Sequence, residues 1–160
     1  MSLSESQPAC PVTAVVLAGG DSTDPLAAHF GVPSKSFAPV AGRPLADWVL
    51  SALTESRMVG QIVWLGGLPP GLDHIPAAVL PSGRLFSDSV ALGLGAGMAL
   101  APGSRLLICT GDLPWLTAAG VDDLVSRSQA ALNYPVIPRE AALKEFPDQK
   151  RTFVRLKQGS

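Results

Sequence analysis

The sequence has few of the residues that staple or metallate small proteins: two cysteines, Cys10 and Cys109, and two histidines, His29 and His74, among 160 residues. Cys10 lies in a polar leader and Cys109 in an apolar, strand-like run, so the pair makes neither a disulfide framework nor a metal cluster, and both are expected as free thiols. No histidine is spaced against a cysteine or against the other histidine, which leaves a structural zinc site without ligands. Any metal must then be held by carboxylates. Charge of one sign is also lacking. Twelve basic and thirteen acidic residues leave a net charge of -1, too little basic excess to neutralise a row of phosphates, so no nucleic acid is expected as a partner, although a local pocket can take one small anion. Long apolar runs are missing as well. The most apolar stretch, residues 89–101, is interrupted by Gly93, Gly95 and Gly97 and falls short of the roughly 18 residues that a membrane span needs. Residues 1–11 have no basic n-region and no apolar h-region, so they are expected to form a flexible leader, and the cytoplasm is the expected location.

The chain does have the means to build one core. Hydrophobic residues make up 47% and charged residues 16%, which suits a single compact domain over residues 12–160. Residues 12–17 (VTAVVL) are short, β-branched and apolar at both alternating positions, the pattern of a central parallel strand buried on two faces. Residues 61–65 (QIVWL), 77–80 (AAVL) and 105–110 (RLLICT) repeat it, each bounded by glycine, proline or a polar turn residue. Helix patterns lie between them. Residues 44–56 begin with Pro44 at a first-turn position and carry Leu45, Trp48, Val49, Ala52 and Leu53 at helical spacing. Residues 86–100 form a second, whose three glycines point to close packing, and a third starts from Thr117 as its N-cap and runs toward Ala130. Alternating strands and helices imply right-handed β-α-β units, a mostly parallel sheet and helices on both faces, with ligands outside the carboxyl ends of the strands.

That rule directs attention to three loops. The first runs from Ala18 to Lys35 and opens with Gly19 and Gly20, whose missing side chains let backbone N–H groups approach a phosphate or base edge. It matches neither the dinucleotide fingerprint nor the Walker loop, and on its own it reads equally as a tight turn. Lys35 can place an ammonium on a nucleotide phosphate, or it is a solvated loop lysine. Asp112, just beyond the strand RLLICT, can hold a hard cation together with substrate phosphates, or it makes an Asx turn. In the block 81–97, Ser87, Asp88 and Ser89 offer hydrogen bonds to a base or ribose, or form a helix cap, and Arg84 is a further candidate phosphate contact.

Taken together, VVLAGG, then the lysine of GVPSKSFAPVAGRPL, then TGDLP resemble the nucleotidyltransferase superfamily, in particular the group of molybdenum-cofactor guanylyl- and cytidylyltransferases. The resemblance spans roughly residues 12–130. It implies a three-layer, Rossmann-like α/β fold of the nucleotide-diphospho-sugar-transferase type. It also implies transfer of a nucleoside monophosphate from a nucleoside triphosphate to a phosphorylated acceptor, with release of pyrophosphate. By position, Leu17, Ala18, Gly19 and Gly20 would wrap the nucleotide with Ser89 nearby, Lys35 would contact its phosphates, and Asp112 would help to hold Mg²⁺; Lys35 and Asp112 would be the catalytic pair. The family's glycine loop carries an arginine where this chain has Asp21 and Asp24. Family members also continue through an acceptor-binding half, of which the tail 133–160, with strand-like NYPVIP and RTFVRL, would be only the beginning. An open acceptor side exposes apolar surface and would favour a homodimer. Two other readings remain beside the enzyme: a non-catalytic nucleotide-binding or sensor module on the same fold, and a Rossmann-like domain for another small metabolite.

Overall fold

The computed structural model describes residues 11–148 and residue 153. The chain divides into two units, Met1–Ser128 and Gln129–Ser160; most of the leader, Cys10 included, lies outside the described residues.

In the first unit, strand β1 (Val12–Leu17) is followed by a short helix α1 (Pro25–Phe30), a 3-10 turn (Lys35–Phe37) and a hairpin of β2 (Pro39–Val40) and β3 (Arg43–Pro44). Helix α2 (Leu45–Glu55), β4 (Val59–Leu65), β5 (Ala78–Leu80), α3 (Phe86–Leu100), β6 (Leu106–Thr110) and α4 (Ala118–Arg127) complete it. The four long strands form one sheet in the order β5-β4-β1-β6, and every pairing is parallel. All six residues of β1 are buried, as its apolar run, broken only by Thr13, predicts. Its two sets of alternate residues enter two cores. Ala14, Val16, Ile62 and Trp64 pack with Val49, Leu50 and Leu53 of α2 and with Val121 and Val125 of α4. Val15, Leu17, Val63 and Leu65 meet Val90 and Ala96 of α3 on the opposite face. The layers are therefore helix, sheet and helix.

The glycines of α3 explain how it lies so close to the sheet. A Cβ at Gly93 would collide with Val15 Cγ1, and one at Gly97 would stand 2.9 Å from Leu106 Cδ2. Leucine or alanine at either place would lift the helix off β1. Gly95, on the outer side, has nothing within 4 Å.

Several boundaries differ from those read in the sequence. Pro44 precedes the first turn of α2 as its N-cap residue, and α4 ends at Arg127 with Thr117 capping it through the Gly120 amide, 3.1 Å away. Residues 18–35 are not one loop. Asp24 accepts from the amides of Leu26 and Ala27, Pro25 fills the first helical position and Gly31 closes α1 in the left-handed conformation. These are the ordinary start and stop signals of a helix compressed into six residues. In the second unit, residues 133–138 form no strand: Pro135 and Pro138 lack the N–H that a ladder needs. Helix α5 (Arg139–Glu145) follows, and the Arg139 guanidinium lies 5.5 Å from the Phe153 ring centroid. Apart from Phe153, the segment RTFVRL lies outside the described residues.

Candidate active site

The connections from β1 and β5 leave on opposite faces of the sheet, through α2 and α3, so the strand order turns back at the boundary between β1 and β6. There a crevice opens at the carboxyl ends of the strands, between the loops that follow Leu17 and Thr110 and the segment from Ser82 to Ser89. A cleft of about 340 Å³ fills this place, at the small end of the range for pockets that bind small molecules. The expected residues Leu17, Ala18, Gly19, Gly20, Lys35, Ser89 and Asp112 all line it.

Each is positioned by identifiable contacts. The Ala18 amide donates to the Leu65 carbonyl at 2.8 Å and the Gly111 amide to the Leu17 carbonyl at 3.0 Å, which extends the sheet pairing one step beyond the strands on both sides of β1. Gly19 faces the opposite wall so closely that a Cβ would come 2.8 Å from Ser82 Cβ, and Gly20 adopts φ +133, a conformation that side chains disfavour. The pair thus keeps backbone rather than side chain at the cleft surface. Lys35 opens the 3-10 turn, and the chain after it is held down by the hairpin. Trp48 Nε1 donates to the Val40 carbonyl at 3.1 Å while the Arg43 guanidinium stacks 4.5 Å from the Trp48 ring centroid.

The Lys35 ammonium donates to Asp112 Oδ2 at 3.1 Å and lies 3.5 Å from Asp24 Oδ2. The hydrogen bond to Asp112 raises the Lys35 pKa above its ordinary value against partial desolvation, and the two carboxylate charges add to it. Partial desolvation disfavours the charge on Asp24, yet the Leu26 and Ala27 amides and Lys35 outweigh it and lower its pKa. Asp24 therefore has two duties, as helix cap and as the second counter-ion of the lysine. Asp21 turns back on its own loop, where Thr23 donates to it from both hydroxyl and amide. The two acidic residues of this loop are thus accommodated locally.

On the opposite wall, the Gly83 amide donates to Ser89 Oγ at 2.9 Å and the Leu85 amide donates to Asp88 Oδ2 at 3.0 Å. Asp88 is a helix cap. Ser89 fastens the 82–85 loop to α3 with its oxygen and keeps its O–H as a donor. Arg84 lines the cleft and has no ion pair among the described residues. Sequence reasoning passed over Ser82 and Thr110, which also face the cleft, and it read Asp24 only as a charge out of place. The Asp-Pro dipeptide before PLAAHF was the signal that would have identified Asp24 as a cap.

A parallel sheet in this order, helices on both faces and a glycine-lined cleft at the switch point define a nucleotide-diphospho-sugar-transferase-type fold. The chain belongs to the MobA-like NTP transferase domain family, whose pattern it matches over residues 14–146. It is similar to a phosphoenolpyruvate guanylyltransferase from Sphaerobacter thermophilus, 37% identical over 87 residues that cover 51% of this chain and 41% of that protein. Among solved structures, a hypothetical transferase from Thermus thermophilus is 39% identical with a TM-score of 0.73, covering 93% of this chain and 61% of the other. A nucleotidyl transferase from Methanothermobacter shares the fold at 19% identity and TM-score 0.54, with 76% and 59% covered. The chain spans between two fifths and about three fifths of the length of these relatives.

Proposed function

We propose that this domain binds a nucleoside triphosphate in the cleft after β1 and β6 and transfers its nucleoside monophosphate to a phosphorylated small-molecule acceptor, releasing pyrophosphate. The observation that carries this reading is the meeting of Lys35 and Asp112 at 3.1 Å on the floor of the β1/β6 crevice. Phosphoryl-type transfer asks little covalent chemistry of a protein; it needs reacting groups in line and charge compensation at the phosphates. The glycine turn at Gly19 and Gly20 offers backbone donors, and Lys35, protonated across the neutral range, supplies a fixed positive charge that can turn from Asp112 to a phosphate oxygen. The cleft fits Mg²⁺ chemistry in its donor set: its described lining has carboxylate and hydroxyl oxygen but neither thiol nor imidazole. Asp112 would hold the ion. Bound there, Mg²⁺ would neutralise charge on the phosphates.

The name of the Sphaerobacter relative makes GTP and phosphoenolpyruvate the first pair to assay. Pyrophosphate release with a matching nucleotide and acceptor is expected to fall by about 100- to 1,000-fold in Asp112→Ala and Lys35→Ala, the range for loss of one group that stabilises transition-state charge. Unchanged turnover in both variants would refute the site. One observation favours a second reading, a nucleotide-binding module without transfer: Asp24 at 3.5 Å already shares the charge of Lys35. Under that reading nucleotide binds, and no acceptor yields pyrophosphate.

A further inference from the structure

Two tasks fall on Asp112 under the proposed function, and they conflict. In the free site its Oδ2 accepts from the Lys35 ammonium at 3.1 Å, whereas in transfer the same carboxylate would hold Mg²⁺. A magnesium ion sits about 2.1 Å from its oxygen ligands, so an ammonium left on that carboxylate would stand on the order of 5 Å from the ion, inside the Debye length of ~8 Å. Lys35 must therefore leave Asp112 when the cation arrives. A lysine released from its only anchor regains the freedom of a long, flexible stem, and a mobile ammonium serves poorly in a site that works by fixed charge.

The place of Asp24 resolves the conflict. Its Oδ1 accepts from the Leu26 amide at 2.9 Å and the Ala27 amide at 3.4 Å, which pins the carboxylate with Oδ2 turned to Lys35 at 3.5 Å. Lys35 and Asp112 both line the cleft, and Asp24 does not. It thus meets the lysine without meeting the space for a ligand, and holds the ammonium without facing phosphates directly. The chain between the two residues is built to bring them together. Helix α1 closes where the Gly31 and Val32 amides donate to the Ala28 and Ala27 carbonyls, and the buried hydroxyl bond of 2.9 Å between Ser34 and Ser36 fixes both neighbours of Lys35.

We propose that Asp24 is the positioning residue of Lys35: it keeps the ammonium at the cleft wall when Asp112 exchanges that ammonium for Mg²⁺, so that metal and lysine act together rather than in turn. The Mg²⁺ half of this statement rests on the transfer reading above; the holding of Lys35 once the charge of Asp112 is taken does not.

Asp24→Asn separates the two duties of the residue, since asparagine caps a helix about as well as aspartate but offers the ammonium an uncharged NH₂ donor in place of an oxygen. The chain has four lysines, Lys35, Lys144, Lys150 and Lys157, few enough to follow the Lys35 ammonium by ¹⁵N relaxation in the full chain without any ligand. Asp112→Asn stands in for a carboxylate whose charge is taken. It and Asp24→Asn are each expected to leave the Lys35 order parameter close to the parent's, and the double variant is expected to lose about half of it. Loss of order in Asp112→Asn alone, or full order in the double variant, would overturn the proposal. Where GTP with Mg²⁺ stabilises the parent, Asp24→Asn is expected to raise the Mg²⁺ concentration for half the thermal shift about tenfold, and to have no effect in a Lys35→Met background. An equal rise in that background would show Asp24 acting as a bare negative charge and would overturn its action through the lysine. A parent that no nucleotide stabilises would remove the transfer reading and leave the order parameters to decide on Asp24.

Discussion

The charged residues of this domain act in small, separate groups, and their ionisation gives each a distinct pH signature. Asp122 accepts from the Ser56 hydroxyl at 2.6 Å, the Met58 amide at 3.2 Å and Arg57 at 3.4 Å. The Ser56 bond is the first cause of its lowered pKa, against a desolvation that raises it. A carboxyl whose folded pKa lies below the unfolded value of 3.8 stabilises the fold above that value and loses the contribution as the pH falls through the folded one. The stability gap between the parent and Asp122→Asn, followed by urea denaturation, is therefore expected to be full above about pH 4 and to close in stronger acid. Lys35 has the opposite sign. Its pKa is raised above 10.5, so its contribution is complete below that value and fades as the pH climbs through the folded pKa. A Lys35→Met variant should differ from the parent by a constant amount from about pH 5, where its partner carboxylates are ionised, up to about pH 10, and converge with it above. Cys109 completes the set: burial, with help from the Asp112 charge, pushes its thiol up to about 12, which leaves almost no thiolate at neutral pH. In a Cys10→Ser background the native protein should resist alkylation at pH 8 and react fully once denatured; rapid native reaction at this half-buried thiol would contradict the raised pKa.

At the scale of elements, α3 carries the sharpest stability prediction. Gly93→Ala improves helix propensity but drives a methyl group into Val15, and overpacking of this kind costs about 1–3 kcal/mol. A variant as stable as the parent in urea denaturation would show that α3 does not sit on β1. The elements also show which features the sequence made readable. Strand β1 and helix α3 were legible to the residue, because one is apolar at every position but Thr13 and the other ends where glycine and proline interrupt its pattern. Helix α1 was missed since six residues give no periodicity, although Asp24, Pro25 and Gly31 mark both of its ends. The hairpin of β2 and β3 was hidden for a different reason: Ala41 takes φ 50, a conformation that the residue type does not announce. In the candidate site the residues were legible but their meeting was not. Lys35 and Asp112 stand 77 positions apart, and only the return of the chain to the far side of β1 brings them together.

At the scale of the whole molecule, a ligand that binds only the folded state should stabilise all of it. Among the four nucleoside triphosphates with Mg²⁺, the matching one at 100 times its dissociation constant would add about 2.7 kcal/mol, or roughly 5–10 °C in melting temperature for a chain of this size. Asp112→Ala and Lys35→Ala should reduce that shift, and a panel with no shift from any nucleotide would remove the nucleotide reading altogether. The same central strand that makes the cleft also sets a condition on how the protein can be made. Val16 of β1 pairs with Cys109 of β6, roughly 90 residues further along the chain. At a synthesis rate of about 5–20 residues per second, β1 waits on the order of 5–20 s for that neighbour to be translated. During the interval its six residues, five of them apolar, leave the ribosome with one flank unpaired. Cellular production should therefore depend on whatever shields a nascent strand, and codon choices that slow translation between residues 66 and 105 should lower the soluble yield without altering the finished molecule.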